Sequence, residues 1–384
     1  MAPQVHSNGS IELDHEEEAL ARLHLDDAHT ELRANSNGKG GYRYESPEEV
    51  KAMKAQRAAV WQWLKGIGVH MLKDGLSLTN ISMPVTLFEP RSWLERMCDN
   101  WSYLQLLELA ADAKDPVDRL KLVVAFAISG LRQQISFGKP FNPILGETFQ
   151  GAYPNGTQVY IEQIAHHPPI SSWQVYDHDA RYHFFGNGTW AASARGNSVK
   201  GQQTGANTVR FSHDDAEVSW EMPYLTIRGV LFGERYLKYG GSMRFQDAAH
   251  GLTCDVDIDT EGPGFFRSFF RRKKAHAQDA VHGVLRGKDG EELDVLTGSW
   301  LSHLEWEKGV CNGKLHTVWD AVKTPVDRAI AEREALPSDC RFRNDLVQLK
   351  TGTLDAAQRA KVELEQVQRA DRRLRSEGLK RASA

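Results

Sequence analysis

The sequence predicts a mainly β protein with flanking helices, in which one large antiparallel sheet closes, or nearly closes, into a barrel. Between about residues 136 and 322, short runs alternate apolar and polar side chains, as half-buried strands do. Asn-Gly pairs at 155–156, 187–188 and 312–313 stand between such runs, where tight hairpin turns require positive φ. The predicted strands include 157–162, 172–176, 182–185, 208–211, 218–222, 243–245, 254–258, 281–285 and 315–319. A sheet of so many short strands hides its edges by closing, and so large a barrel should enclose a ligand cavity.

Composition excludes several classes of protein. The chain has 384 residues, with 47 Lys+Arg against 51 Asp+Glu and a net charge of −4, so it is not a globally basic nucleic-acid binder. Its apolar runs fall far short of the ~20 residues of a membrane-spanning helix, and no signal peptide is visible. The four cysteines lie far apart, without a CxxC pair or zinc spacing. These features predict a cytosolic protein without a metal site or cofactor.

The first 45 residues are polar and acidic, with eight acidic residues and one Arg between Ile11 and Leu32. Such a composition favours a disordered, solvated tail over a partner-binding peptide. We expect residues 46–384 to form one domain.

Helices are predicted on either side of the strands. Ser46, followed by Pro47 and Glu49, has the pattern of a helix N-terminus, and an apolar stripe runs from Val60 to Met71. Spacing alone does not decide whether this helix is a core element or a lid, although Gly66 and Gly68 soften it by roughly 1 kcal/mol each. A helical block is expected at about 92–132, where Asp115 is a candidate cap before Pro116, and a C-terminal helical region at about 328–375.

Two motifs at the start of the sheet carry candidate binding residues. Residues 138–147 read GKPFNPILGE and residues 162–169 read EQIAHHPP. The two prolines push the second motif into an extended loop, where His166 and His167 can converge on one anion. The alternative is an exposed loop or a satisfied hydrogen-bond network. Lys139 and Asn142 add an ammonium and an amide, unless Lys139 is an ordinary surface lysine.

Three residues of the C-terminal region share one helix face. Lys361, Glu365 and Arg369 are spaced by four. They form either an i,i+4 ladder that stabilises an exposed helix, or two cations that reach a phosphorylated headgroup while Glu365 holds them in register.

The two motifs resemble the signature of the oxysterol-binding-protein-related family. The usual form of the second motif is EQVSHHPP, so Ile164 and Ala165 depart from it beside the His pair. The similarity covers about residues 61–375, including FEPRSWLERM at 88–97 and the helix with Lys361. No preceding pleckstrin-homology domain or ankyrin repeats are visible, so the resemblance is to a short form with the lipid-binding domain only.

The resemblance implies a nearly complete antiparallel barrel around a hydrophobic tunnel, closed by an N-terminal lid at about 61–72. It implies a protein that extracts sterol or phosphatidylinositol 4-phosphate and exchanges them between membranes. The sequence has no GxSxG or HExxH motif, so we expect no enzyme activity, and we expect a monomer. A lipid sensor or scaffold, or a transporter of phosphatidylserine against phosphatidylinositol 4-phosphate, has the same motif. The family's headgroup positions are here Lys139, Asn142, His166, His167, Lys361, Glu365 and Arg369. The lid residues are Trp61, Leu64, Ile67 and Met71.

One basic aromatic segment suits membrane docking. Residues 264–274 read GFFRSFFRRKK, and each cation near anionic lipid contributes ~1 kcal/mol. The docking residues are Phe265, Phe266, Phe269, Phe270, Arg271, Arg272, Lys273 and Lys274. The alternative is a solvated hairpin with its Phe side chains folded onto the barrel. One short basic stretch is a weak footprint for nucleic acid, so we expect a peripheral, transient contact with anionic membranes.

Overall fold

The structure, a computed structural model, describes residues 41–68, 75–78, 81–258 and 279–382. Seventeen strands form one antiparallel sheet, and a two-stranded parallel sheet accompanies it, with helices before and after the strands. The predicted fold class is therefore confirmed. Met71, the acidic tail as far as residue 40 and the segment 264–274 lie outside the described residues. No helix in the described ranges is long and apolar enough to cross a bilayer.

The first helix, α1 (Pro47–Ile67), begins where the sequence predicts. The Ser46 side chain accepts from the Glu49 amide, and the Glu49 carboxylate accepts from the Ser46 amide, which completes a capping box. The helix ends at Gly68, whose φ of 101° is open to glycine at little cost. Within the described residues, the predicted apolar stripe is helical as far as Ile67.

The second helical block is more broken than predicted. Between Ser92 and Ala113 it consists of α2 (Trp93–Met97), a 3-10 turn and α3 (Gln105–Asp112). The third helix, α4 (Pro116–Ser129), is capped by Asp115 as expected. All its residues from Arg119 to Ser129 are buried, since α4 is apolar on nearly every face and contacts strands of the large sheet.

The strands follow the predicted order. They are β1 (Tyr42–Arg43), β2 (Leu76–Ser77), β3 (Phe88–Ser92), β4 (Lys139–Phe141), β5 (Thr148–Ala152), β6 (Gln158–His166), β7 (Pro169–Tyr176), β8 (Tyr182–Arg195), β9 (Ser198–Thr204), β10 (Asn207–Phe211), β11 (Glu217–Trp220), β12 (Tyr224–Arg228), β13 (Tyr236–Asp247), β14 (Leu252–Ile258), β15 (Ala280–Arg286), β16 (Glu292–Ser299), β17 (His303–Val310), β18 (Leu315–Asp320) and β19 (Ile330–Ala331). Helices α5 (Asn344–Thr351) and α6 (Leu354–Ala382) end the chain's described part.

Pairing carries the sheet almost all the way round. β19 pairs with β5, hairpins join β5 to β8, and β13 to β18 follow as a second series. The long strands β8 and β13 are connected through two shorter pairs, β9 with β12 and β10 with β11. Among the described strands, β18 pairs with β17 and β19 pairs with β5, and no register joins β18 to β19, so the barrel is nearly closed rather than closed.

Two of the three predicted Asn-Gly turns are hairpin turns. Gly156 has a φ of 87°, and Asn312 and Gly313 have φ values of 59° and 76°. The prediction at 187–188 is wrong, because both residues continue the long strand β8. Close packing explains the glycine, since a Cβ on Gly188 would lie 3.1 Å from the Gln203 side chain.

Candidate functional site

Lys139 is the first residue of β4, which pairs with β3 in the two-stranded parallel sheet, and Asn142 directly follows β4. The Lys139 ammonium donates a hydrogen bond to the exposed Asn142 side chain, and Nζ lies 4.8 Å from the centroid of the Phe88 ring. Burial, followed by the charges of Lys361 and Arg343, lowers the pKa of Lys139 to about 7. The predicted ammonium and amide therefore meet, beside an aromatic face that the sequence analysis had not assigned to the site.

Helix α6 brings a second lysine to the same ring. Lys361 is 5% exposed, and its Nζ lies 5.5 Å from the Phe88 ring centroid and donates to Ser82 Oγ at 3.0 Å. Glu365 accepts from Lys361 and also pairs with Arg369 at 3.4 Å, so the predicted register along the helix is present. The Arg369 side chain is exposed and free to reorient toward a ligand.

His166 and His167 occupy the tip of the β6–β7 hairpin. They form a tight turn in which His166 lies opposite Pro169, rather than the extended loop that we expected. The two rings still lie side by side, with centroids 4.7 Å apart, and Nδ1 of His166 is buried without a hydrogen-bond partner. Burial lowers the pKa of both imidazoles, and the charge of Arg372 lowers each further. These shifts favour the neutral form of both rings, in which each ring offers one N–H donor.

The C-terminal helix extends this site along the rim of the sheet. Lys361 lies beside Lys139, whereas Arg372 and Arg375 influence the His pair. Arg372 follows Lys361 by eleven positions of the helix, a rise of roughly 16 Å along its axis. The sequence analysis missed Arg372 and Arg375, although their spacing from Arg369 places Arg372 on the same helix face.

A buried ion-pair network holds the loop between Asn142 and Glu147. Arg343 donates to the Asn142 carbonyl at 2.8 Å and pairs with Glu147 at 2.8 Å and with Asp345 at 2.8 Å. Glu147 also accepts from Ser92 and from the Ile144 amide at 3.0 Å. The conformation of the GKPFNPILGE segment thus depends on an arginine near the other end of the chain. No local signal in the sequence indicates that Arg343 has this partner.

A small pocket lies inside the barrel. Its walls are mostly apolar and aromatic, and include Met97, Asn100, Trp101, Phe126, Ala127, Trp173, Trp190, Gln203, Asn207, Trp220 and Met222. Four buried polar atoms in this lining have no hydrogen-bond partner: the side-chain oxygen of Asn100 and the indole nitrogens of Trp173, Trp190 and Trp220. Because buried polar groups are normally paired, these atoms suit an apolar ligand that carries a hydroxyl or carbonyl.

The predicted lid residues lie at one end of the barrel. Leu64 is 1% exposed and packs in a small apolar cluster with Leu76, Leu78, Ala194 and Leu231, while Ile67 contacts the cluster's edge. Trp61 is 37% exposed and does not belong to this cluster. None of these residues lines the cavity, so α1 is positioned beside the barrel end rather than inside it.

One group of three potential metal ligands occurs among the described residues. The ligand atoms of Glu108, Asp177 and His178 lie within 4.8 Å of one another. Arg181 stands among them, 2.9 Å from Asp177 and 3.6 Å from Glu108. Since this guanidinium already supplies the positive charge, the group is well explained as an ion-pair network.

The sheet, its apolar cavity and the cationic rim together define a lipid-binding domain. The family model described as oxysterol-binding protein matches residues 68–383. The chain belongs to the oxysterol-binding protein family.

Relatives and solved structures agree with this membership. The chain is 32% identical to oxysterol-binding protein 9 of Dictyostelium discoideum over 89% of its own length and 81% of that protein's. It is 29% identical to human oxysterol-binding protein-related protein 3, over 79% of this chain and 35% of that longer protein.

Two solved structures share its fold. The Osh1 ORD domain in complex with cholesterol has a TM-score of 0.68 and 21% identity, and the match covers 95% of this chain and 89% of that one. The Osh3 ORD of Saccharomyces cerevisiae in complex with PI(4)P has a TM-score of 0.64 and 22% identity, with 88% of both chains covered.

Proposed function

We propose that this protein extracts sterol and phosphatidylinositol 4-phosphate from membranes and exchanges them between membranes. The observation that supports it best is the convergence of Lys139 and Lys361 on the Phe88 ring, from distant parts of the sequence. Two ammonium groups held this close repel each other, which is one cause of the lowered pKa of Lys139. A phosphate between them relieves that repulsion and accepts charge-assisted hydrogen bonds.

The remaining rim residues suit the rest of such a headgroup. Asn142 is exposed beside Lys139, and His166 has a buried ring nitrogen that lacks a partner. Arg369 and Arg372 add cations along the same helix face. These groups favour an inositol ring with a second phosphate over an isolated phosphate ion, because they extend well beyond the Phe88 face.

The cavity accounts for the apolar part of the ligand. Its aromatic walls suit a rigid ring system, and the three unpaired indole N–H groups can donate to a sterol hydroxyl. The family relatives Osh1 and Osh3 are solved with cholesterol and with PI(4)P, respectively. We propose the same pair of ligands for this chain. Native mass spectrometry of the lipids that copurify with the protein distinguishes sterol from phosphatidylserine as the second ligand.

The headgroup assignment is tested by replacing both histidines with alanine. We expect the His166→Ala/His167→Ala protein to lose at least about tenfold in phosphatidylinositol 4-phosphate extraction from liposomes, since two hydrogen bonds to phosphate are removed. Sterol extraction should remain close to that of the wild type. His282→Ala, at an exposed histidine on β15, is the matched control. An equal loss of both lipids with unchanged circular dichroism would show that the histidines do not bind the headgroup.

Transport is separated from sensing by a transfer assay. Fluorescent sterol in donor liposomes should reach acceptor liposomes in many equivalents per protein, and phosphatidylinositol 4-phosphate in the acceptors should accelerate it. A sensor or scaffold extracts at most one equivalent of lipid and gives no sustained transfer.

A further inference from the structure

The turn between β12 and β13 presents an exposed aromatic side chain. Phe232 is 63% exposed, the largest exposed fraction of any aromatic residue in the described ranges. Its neighbour Leu231 is buried in the apolar cluster with Leu64 and Ala194. The turn is thus anchored by one apolar side chain while the next one projects into solvent.

Hydrogen bonds fix this turn and satisfy its backbone. Asn197 accepts from the amides of Leu231 at 2.7 Å and Phe232 at 3.3 Å, and donates to the Phe232 carbonyl at 2.9 Å. Arg57 of α1 donates to the carbonyls of Gly229 and Gly233. Backbone groups that are already paired lose little on leaving water, which is what a loop requires if it is to enter a lipid interface.

Two arginines lie beside the turn on the same side of the sheet. Arg195 is directly opposite Ser198 on β9, and Ser198 is directly opposite Arg228 on β12. Adjacent strands are about 4.8 Å apart, so the two backbones are separated by roughly 10 Å. Both side chains are exposed, and neither forms an ion pair within the part of the chain that the structure describes. The nearby carboxylate of Glu234 is paired with Arg43 at 3.0 Å. The surface is therefore cationic around an apolar centre.

Strand direction places this surface at the same end of the barrel as the His pair. From the β6–β7 turn the chain runs to the opposite end of the barrel in β7 and returns in β8. The β6–β7 and β8–β9 turns therefore lie at the same end. β12 runs antiparallel to β9, which puts the turn with Phe232 there as well. Trp63 of α1 donates to the Ser82 carbonyl at 3.3 Å, and Ser82 in turn contacts Lys361. A membrane that touches Phe232 therefore also faces the rim site.

We propose that Phe232, Arg195 and Arg228 form a docking surface for an anionic lipid bilayer. This inference rests on the proposed lipid exchange and adds to it a defined point of membrane contact. Phe232 enters the interfacial region, and the two guanidinium groups contact lipid phosphates or carboxylates on either side of it. The rigid turn sets the orientation in which the barrel end meets the bilayer.

Vesicle flotation of the full chain tests the proposal. The probe is phosphatidylcholine vesicles with or without phosphatidylserine, free of sterol and phosphoinositide, so that docking is measured without extraction. We expect Phe232→Ser to weaken binding about tenfold. Arg195→Gln/Arg228→Gln should weaken binding to the phosphatidylserine vesicles by about fivefold per arginine and leave the residual binding less sensitive to salt.

The matched controls lie at the opposite end of the barrel. Lys314 and Leu315 are exposed at the β17–β18 turn, so Leu315→Ser and Lys314→Gln change the same chemistry on a face turned away from the membrane. Both should bind vesicles as the wild type does.

Wild-type vesicle binding by both the Phe232 and the arginine variants would overturn the docking proposal, and so would equal losses in the controls. If this surface binds a protein partner instead of a bilayer, the variants should bind vesicles as the wild type does, since no protein partner is present in the assay. Failure of the wild type to extract any lipid would instead refute the proposed function, and it is measured separately.

Discussion

The charge of Lys139 should make headgroup binding depend on pH. In the unliganded protein its pKa is lowered to about 7, by burial first and then by Lys361 and Arg343, while Glu365 and Glu89 oppose this effect. A bound phosphate stabilises the ammonium and returns the pKa toward the ordinary lysine value of 10.5. Binding above pH 7 therefore requires the uptake of a proton. The affinity for an anionic headgroup should fall as the pH rises through 7 and above.

The size of the effect follows from that shift. Each pH unit above the pKa of the free protein reduces the protonated fraction by up to about tenfold, equivalent to ~1.4 kcal/mol. We therefore expect phosphatidylinositol 4-phosphate extraction to weaken by roughly 20-fold between about pH 6.5 and pH 8.5. Burial lowers the pKa of His166 and of His167 as well, which favours their neutral rings.

Two substitutions isolate the lysine. Lys139→Met should bind the headgroup weakly, and Lys139→Arg more tightly, and neither should show the steep decline. Ionisation of the lipid's own phosphate affects all three proteins alike, so the comparison removes it. Equal slopes for the wild type and Lys139→Met would refute the argument.

Folding stability gives an independent check of the same group. Because the folded-state pKa is lowered, the unfolded chain holds this proton more tightly, and stability should rise with pH between about 7 and 10.5. Lys139→Met should lack this rise in urea denaturation experiments.

Three further predictions concern the helices and the core. Gly66→Ala should stabilise α1 by about 0.5–1 kcal/mol, since a Cβ there meets no atom within 4 Å. The same substitution should slow lipid transfer if α1 has to move as a lid. The control is Gly378→Ala at an equally open site in α6, which should stabilise its helix without changing the transfer rate. Arg343→Met should lower the free energy of unfolding, measured in urea, by about 3–5 kcal/mol, because it leaves the charge of the buried Glu147 unpaired. A loss below about 1 kcal/mol would show that the ion pair does not hold the segment in place. Ala127→Leu should fill part of the cavity and reduce the extraction of both sterol and phosphoinositide. It should also lower the free energy of unfolding by about 1–3 kcal/mol. Unimpaired lipid extraction would show that the lipid binds elsewhere.

Local features of the domain were predictable from the sequence. The caps at Ser46 and Asp115, the turns at Gly156 and Gly313 and the alternating strands all depend on a few neighbouring residues. The i,i+4 register of Lys361, Glu365 and Arg369 follows from helix geometry in the same way. The candidate rim residues were predicted from the resemblance of two motifs to the family signature. Composition and periodicity alone do not assign these residues to one site.

Contacts between distant segments were decided only by the tertiary structure. Asn187 and Gly188 have the composition of a turn, yet cross-strand pairing keeps them in β8, where glycine makes room for Gln203. Arg343 has no local mark of its partnership with Glu147, because that ion pair joins two ends of the domain.

The same holds for the surfaces that the function needs. Nothing near Phe232 in the sequence distinguishes it from a core phenylalanine, and the pKa of Lys139 is lowered only because folding buries it and brings Lys361 beside it. A helix or a turn is determined by interactions within a few residues. The exposure of a side chain, the charge that surrounds a lysine and the walls of a cavity depend on which segments the closing sheet brings together.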